Sequence, residues 1–249
     1  AVRPQTMQSL WAGQPNALLA WLRDHEPDAY AQARWVLMCK DFIRLRLTGQ
    51  AAAELTDMSG TSLMDVGTAQ YDPGILDRFG ISEAFDKLPP LRLSAEICGQ
   101  VTPAAAAETG LAAGTPVAGG LFDVDACALA SAVLSDRELG MVLGTWGINQ
   151  YVSRTPVTSD QLFMTSRYCL PDHYLMIEAS PTSAGNLEWV IGKLLGSAAD
   201  GAETDGAEQQ GAEAYARVNR LVAETSPEDS PVLFLPFLYG SNSHPDATG

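Results

Sequence analysis

Apolar and polar positions along the chain fall into short blocks whose period changes several times. Over residues 15–34, PNALLAWLRDHEPDAYAQAR, the residues Leu18, Leu19, Leu22 and Trp21 form an apolar face behind Pro15, and Pro27 restarts a second helical stretch. KDFIRLRLTG at 40–49 predicts a short amphipathic helix ended by Gly49. The segment 54–73, ELTDMSGTSLMDVGTAQYDP, is rich in Thr, Ser, Asp and Gly and predicts loop with short irregular pieces. Ser82 to Leu88 predicts a further short helix before Pro89-Pro90. In VTPAAAAETGL, Thr102 is the N-cap, Pro103 the first helical residue and Gly110 the stop.

A strand, PVAGGLF, and an Ala-rich helix come next. ELGMVLGTWGINQYVSR at 138–154 predicts two strands joined at a glycine-flanked turn. YLMIEAS at 174–180 is another strand, followed by a helix through NLEWVIGKLLG. Residues 196–214 carry five acids and no base, which predicts a flexible acidic surface loop. A helix to about Glu224 and a final strand, VLFLPFL, complete the pattern, with no internal repeat. Strands alternating with helices give an α/β architecture.

Composition narrows the function classes. Hydrophobic residues are 46% of the 249 and charged ones 18%, as in globular proteins. No apolar run approaches the roughly 20 residues that span a bilayer, and no basic-then-apolar leader is present. The net charge of −15, from 30 acids and 15 bases, argues against nucleic acid or an anionic membrane as partner. A phosphorylated small molecule needs only local donors and stays allowed. Cys39, Cys98, Cys127 and Cys169 lack any C-x-x-C spacing and predict reduced, mostly buried thiols in a cytoplasmic protein. His25, His173 and His244 form no zinc-ligand cluster with them, so no metal site is assigned. The chain opens without methionine, in AVRPQTMQSLW, and stops at SNSHPDATG, which reads as a piece of something longer.

Three stretches carry candidate chemistry. In PVAGGLFDVDACALASAV (116–133) two carboxylates follow an apolar strand. Asp125 is the better candidate for a helix cap. Asp123 follows Gly-Gly-Leu-Phe at the carboxyl end of the strand, where ligands bind in open α/β sheets. MVLGTWG (141–147) is either an ordinary hairpin or a phosphate contact made by turn N–H groups and the Thr145 hydroxyl. EASPTSAGNLEW (178–189) is a strand end, small polar residues and a helix start, fit either for a nucleotide pocket or for a capped loop.

In their order along the chain these stretches resemble the FGGY carbohydrate kinase family, and within it the bacterial L-xylulose kinases. LWAGQPNALLAWLRDHEP (10–27), DFIRLRLTG with LTDMSGTSLMD (41–65), VAGGLFDVDACALASAV (117–133), LGTWG (143–147), EASPTSAGNLEW (178–189) and FLPFLYGS (234–241) carry the resemblance. It implies an actin-like ATPase (ribonuclease H-like) two-domain fold, incomplete at both ends: residues 1–130 as the C-terminal part of a sugar-binding domain, 131–249 as the start of a nucleotide-binding domain. It implies Asp123 as the general base that takes the proton of a sugar hydroxyl attacking the γ-phosphate of ATP. Gly144 and Thr145 match the phosphate-contacting turn, Gly185 and Glu188 fall in the stretch bordering the adenosine, and Trp11 lies near a sugar-pocket position. ATP is the implied donor and Mg2+ the implied metal, its ligands largely outside this segment; the usual D-x-G-T-like turn is missing. A ketopentose such as L-xylulose or D-xylulose is the implied acceptor, a homodimer is left open, and the fragment alone is expected to be nearly inert.

Two other readings compete. An actin-like ATP-binding module without sugar turnover would carry the same motifs. A serine hydrolase built on Ser180 or Ser183 would need a G-x-S-x-G elbow that neither residue has.

Overall fold

The computed structural model describes residues 2–194, 207–226, 228, 232–238 and 240. Short helices α1 (Arg3–Thr6), α2 (Pro15–His25), α3 (Pro27–Gln32) and α4 (Cys39–Thr48) come first. They lead into β1 (Ala53–Glu54), α5 (Leu55–Ser59), β2 (Met64–Asp65), β3 (Gln70–Tyr71) and α6 (Pro73–Arg78). A 3-10 turn, Ser82–Lys87, precedes β4 (Leu91–Arg92), β5 (Ile97–Gln100), α7 (Pro103–Thr109), β6 (Pro116–Ala118) and α8 (Asp123–Ala130). Then follow β7 (Leu139–Leu143), β8 (Gly147–Ser153), β9 (Met164–Arg167), β10 (Tyr174–Ser180), α9 (Ala184–Leu194) and α10 (Ala207–Glu224).

The chain divides into two compact units: residues 1–141 with 149–178, and residues 142–148 with 179–249. In the first, β1 pairs parallel with β4, β2 antiparallel with β3, and β5 antiparallel with β6. Its main core gathers Met58, Leu63, Met64, Ile75, Leu76 and Ile81, all fully buried, with Leu19, Tyr30 and Ala84. The largest sheet has the order β7-β8-β10-β9, with β10 antiparallel to β9, and it buries Val152, Leu175, Met176 and Ile177.

Punctuation residues act where the sequence places them. Pro15 and Pro27 open α2 and α3, and Gly49 ends α4 at φ +71°. The Thr102 side chain accepts from the Ala105 N–H at the start of α7, and Gly110 closes that helix at φ +77°.

Four expectations need correction. Residues 207–214 belong to helix α10 rather than to an acidic loop, as a run of Ala, Glu and Gln favours; residues 196–206 lie outside the described ones. VLFLPFL forms no strand over its described residues, 232–238: Pro236 cannot donate to a ladder. The four cysteines are unbridged, but of these thiol residues Cys98 alone is buried. Finally, the apolar face of α2 is only partly covered: Leu19 is buried while Leu18 and Leu22 stay exposed and Trp21 stacks on His25.

Candidate functional site

Asp123 is held by its backbone. Beyond β6 the chain turns through Gly119 and Gly120, the latter at φ +87°. A Cβ on Gly119 would lie 2.4 Å from the Leu93 carbonyl oxygen, so only glycine fits there. The Gly119 N–H donates to Glu96 O (2.9 Å), the Gly120 N–H to Ser94 O (3.1 Å), and the Gly119 carbonyl accepts from the buried Arg44 guanidinium. The Phe122 N–H then donates to Thr56 Oγ1 at 2.9 Å. Helix α8 starts immediately afterwards with Asp123, whose exposed carboxylate accepts only a local bond, from the Val124 N–H at 2.7 Å.

Asp125 does not cap the helix as expected. The N-cap is Phe122, which leaves Asp125 at the third helical position and wholly buried. Neither carboxyl oxygen has a hydrogen bond of normal geometry. Burial first, then the charges of Glu54 and Asp57, push this carboxyl well above the ordinary range; the Cys169 backbone N–H and Lys40 oppose the shift without reversing it.

Beside it lies an ionic cluster that sequence reasoning missed. Lys40 Nζ sits 3.2 Å from Asp41, 3.3 Å from Glu54 and 2.9 Å from Asp57, and Arg44 holds Asp41 at 2.9 Å. Asp41 and Glu54 are fully buried. Burial lowers the Lys40 pKa, but its three carboxylates outweigh that and the net shift is upward. Burial raises Asp57, with Lys40 opposing. Glu54 also caps α5, accepting from the Thr56 and Asp57 N–H groups, and it takes the Thr56 and Ser94 hydroxyls at 2.7 Å each. The available signal was a Lys-Asp pair opening one predicted helix and an E-x-T-D run opening another segment.

Asp57 and Phe122 also line a pocket of about 400 Å³. Trp11, Gly13, Gln14, Leu18, Leu22, Met38, Cys39 and Phe163 are among its other walls. Trp11 is 41% exposed, lies with its ring 6.0 Å from that of Phe163, and folds over Gly13 so closely that a Cβ there would meet the indole at 2.3 Å. Trp11 is therefore in the pocket wall, and Asp123 is one residue beyond the wall residue Phe122.

The remaining candidates meet in the second unit. Between β7 and β8 the turn Gly144-Thr145-Trp146 is stitched to the start of α9: Ser183 N–H donates to Thr145 O (3.1 Å) and Ala184 N–H to Gly144 O (2.9 Å). Gly185 lies one residue further on, and Glu188 is exposed on the next turn. The turn has fewer donors to offer than expected, because Gly144 N–H is bonded to Trp146 O at 3.1 Å. Thr145 is exposed, and Gly185 has open space where a Cβ would stand.

Among the described residues no group of three or more His, Cys, Asp or Glu could hold a metal ion. The clustered carboxylates Asp41, Glu54 and Asp57 are already occupied by Lys40, and Asp123 stands as a single carboxylate, so the described residues do not make a Mg2+ site. No described helix is long and apolar enough to cross a membrane.

Comparison with known proteins gives the family and the fold. The chain is 39% identical over 241 residues to the L-xylulose/3-keto-L-gulonate kinase of Escherichia coli, covering 96% of this chain and 45% of that protein. It is 30% identical over 239 residues to the xylulose kinase of the same organism, covering 93% and 45%. The xylulose kinase structure from Rhodospirillum rubrum superposes with a TM-score of 0.86 at 23% identity, covering 99% of this chain and 47% of that one. The chain thus spans about half the length of the relatives it matches, and its fold is that half of an actin-like ATPase fold. Residues 1–130 match the model of the FGGY family of carbohydrate kinases, N-terminal domain, and the chain belongs to that family.

Proposed function

We propose that the protein carrying this chain transfers the γ-phosphoryl group of ATP to a hydroxyl of a ketopentose such as L-xylulose or D-xylulose, with Asp123 as general base. Residues 1–130 then supply the sugar side and 131–249 part of the nucleotide side. The observation that carries the reading is the exposed Asp123 carboxylate, fixed by a bonded backbone next to a pocket wall, in a chain similar to kinases named for these sugars.

The chemistry follows from the groups. The sugar hydroxyl loses its proton to an Asp123 oxygen as its own oxygen attacks the γ-phosphorus; the bond to the bridging oxygen breaks and ADP leaves. The Thr145 hydroxyl and the small residues at the start of α9 support the phosphate side. A divalent cation, if bound, would neutralise phosphate charge, with ligands other than the described residues. Such transfer depends mainly on positioning, which the bonds at Gly119, Gly120 and Phe122 provide. Four unbridged cysteines fit the reducing cytoplasm as its compartment.

The test is sugar-dependent ADP release by the longest natural polypeptide that carries residues 1–249, across a panel of pentuloses. Asp123→Asn should lower turnover by about 10²–10⁴-fold, the usual share of a general base, with ATP affinity and melting temperature unchanged. Wild-type turnover in that variant removes Asp123 from the chemistry. If ATP binds but no sugar ever stimulates its consumption, the protein is an ATP-binding module instead.

A further inference from the structure

Helix α8 carries the candidate base at its first position and is seated by very little. Of its eight residues, Asp125 and Ala128 are the buried ones. They stand three apart, about one helical turn, and so share the face turned to the interior. A carboxyl and a methyl group are what this helix buries outright. Asp125 is 0% exposed, and neither of its oxygens has a hydrogen bond of normal geometry. Phe122, the N-cap, makes no side-chain capping bond; its N–H ties the start of the helix to Thr56 Oγ1.

The interior that receives Asp125 is already short of positive charge. Asp41, Glu54 and Asp57 share Lys40, and Arg44 is drawn to Asp41. Arg44 also serves the carbonyls of Gly119 and Ala52. Asp125 is a fourth carboxyl beside two committed cations. The groups that face it are Glu54 of β1, Asp57 of α5, Lys40 of α4, and Tyr168 and Cys169 just beyond β9. Tyr168 and Cys169 are both shifted upward, first by burial, so neither brings a charge near neutrality. As a neutral acid Asp125 adds nothing to this excess of negative charge. As a carboxylate it would be dehydrated and unpaired, a state that relaxes by taking the group to water. From the third position of α8 that route runs through the first turn of the helix, which begins at Asp123.

We propose that Asp125 is a positioning residue for Asp123: as the neutral acid it seats the first turn of α8, and its ionisation unseats that turn, which gives phosphoryl transfer an alkaline off-switch. This rests on the kinase reading for the reaction that responds, but not for the seating of the helix. Asp125 touches no reacting atom and has no part in proton transfer from the sugar.

Two measurements on the longest natural polypeptide carrying this chain decide it, each from about pH 6 to about pH 9, the side on which a raised carboxyl titrates. One is kcat for sugar-dependent ADP release. The other is amide hydrogen exchange over residues 121–130, corrected for the intrinsic rate, with residues 103–109 of α7 as control. In wild type both kcat and protection over 121–130 should fall with rising pH, kcat by up to about tenfold per unit, as one proton dictates, while α7 stays protected. Asp125→Asn cannot ionise, so whatever kcat and protection it has should vary by less than about threefold over the same range. Asp125→Leu, also without charge, should be as flat and serves should the Asn variant not fold. A flat wild-type profile, an alkaline fall that survives in the uncharged variants, or protection over 121–130 that ignores pH each overturns the proposal. If no sugar stimulates ADP release, the kinase reading fails and the protection of 121–130 decides the seating alone. Turnover whose alkaline fall is the same in wild type and Asp125→Asn does the reverse.

Discussion

Asp125 offers the sharpest test of the electrostatics around the site. Its carboxyl is wholly buried, without a well-formed hydrogen bond, and faces Glu54 and Asp57, while Lys40 is committed to those two and to Asp41. Burial raises the Tyr168 and Cys169 pKa values, and the Asp125 charge adds to both shifts. Its folded pKa is raised well above the ordinary value, chiefly by burial. In the unfolded chain an aspartate titrates near about 4, so over the window from there up to the folded pKa the native state holds a proton that the unfolded state has lost. Unfolding then releases that proton, and stability falls as pH rises.

For one proton the slope is about 1.4 kcal/mol per pH unit, whatever the value at which the window closes. Asp125→Asn is nearly isosteric and cannot ionise. The difference in unfolding free energy between variant and wild type should therefore move in favour of the variant by up to about 1.4 kcal/mol for each unit above pH 5. Comparing the two proteins cancels the parallel contribution of Asp57, whose pKa burial also raises. The amide brings its own unsatisfied groups, a constant cost of about 1–3 kcal/mol, so the trend with pH is the test and the offset is not. Urea unfolding of both proteins, followed by circular dichroism at half-unit steps from pH 4.5 to 8.5, measures it. A flat difference across that range would show that Asp125 titrates normally and refute the reasoning.

Three further substitutions probe the same frame. Lys40→Met should destabilise by about 3–5 kcal/mol, read as a lowered urea midpoint, because it leaves the buried Asp41 and Glu54 and the mostly buried Asp57 short of a cation; an unchanged midpoint contradicts the cluster. Gly119→Ala puts a Cβ 2.4 Å from a backbone oxygen that cannot swing away, so the melting temperature should drop by several degrees, and a wild-type melting curve would refute the close approach. Gly13→Ala meets the far edge of the Trp11 ring instead; intrinsic fluorescence should shift while stability changes by less than about 1 kcal/mol.

Features fixed by one or two local residues were legible in the sequence. Pro15, Gly49, Thr102 and Gly110 each act through their own backbone or a bond three residues away, so they needed no knowledge of the fold. Strands β1 to β4, of two residues each, show no periodicity, since two positions cannot display an alternation. The ionic cluster was hidden for another reason. Lys40, Asp41 and Arg44 are near neighbours, but the bonds that join Lys40, Asp41 and Ser94 to Glu54 span 13 to 40 residues of chain, as in Asp41 with the Glu54 N–H and Ser94 with Glu54, and nothing local marks those as partners. Asp125 illustrates the same limit: an acid beside a helix start reads as a cap, but α8 begins two residues earlier and rotates that side chain into the interior. Trp11 could be placed near a sugar pocket by resemblance, whereas the cavity it walls, built from segments as far apart as Trp11 and Phe163, showed no local sign.

Glu54 ties the candidate base to the pocket wall, and proton bookkeeping shows how. The Thr56 hydroxyl has one proton, which it gives to Glu54 Oε2 at 2.7 Å. Its oxygen is left with lone pairs alone, and one of these receives the Phe122 N–H that immediately precedes Asp123. Glu54 also meets Lys40, and Lys40 holds Asp57 in the pocket. Glu54 thus fixes the hydrogen-bond direction behind Asp123 and, through one lysine, bears on the charge of the cavity beside it. Removing its charge weakens the bond that takes the Thr56 proton and leaves Lys40 with two of its three carboxylates, so both the backbone behind Asp123 and the charge around Asp57 should respond to that one change.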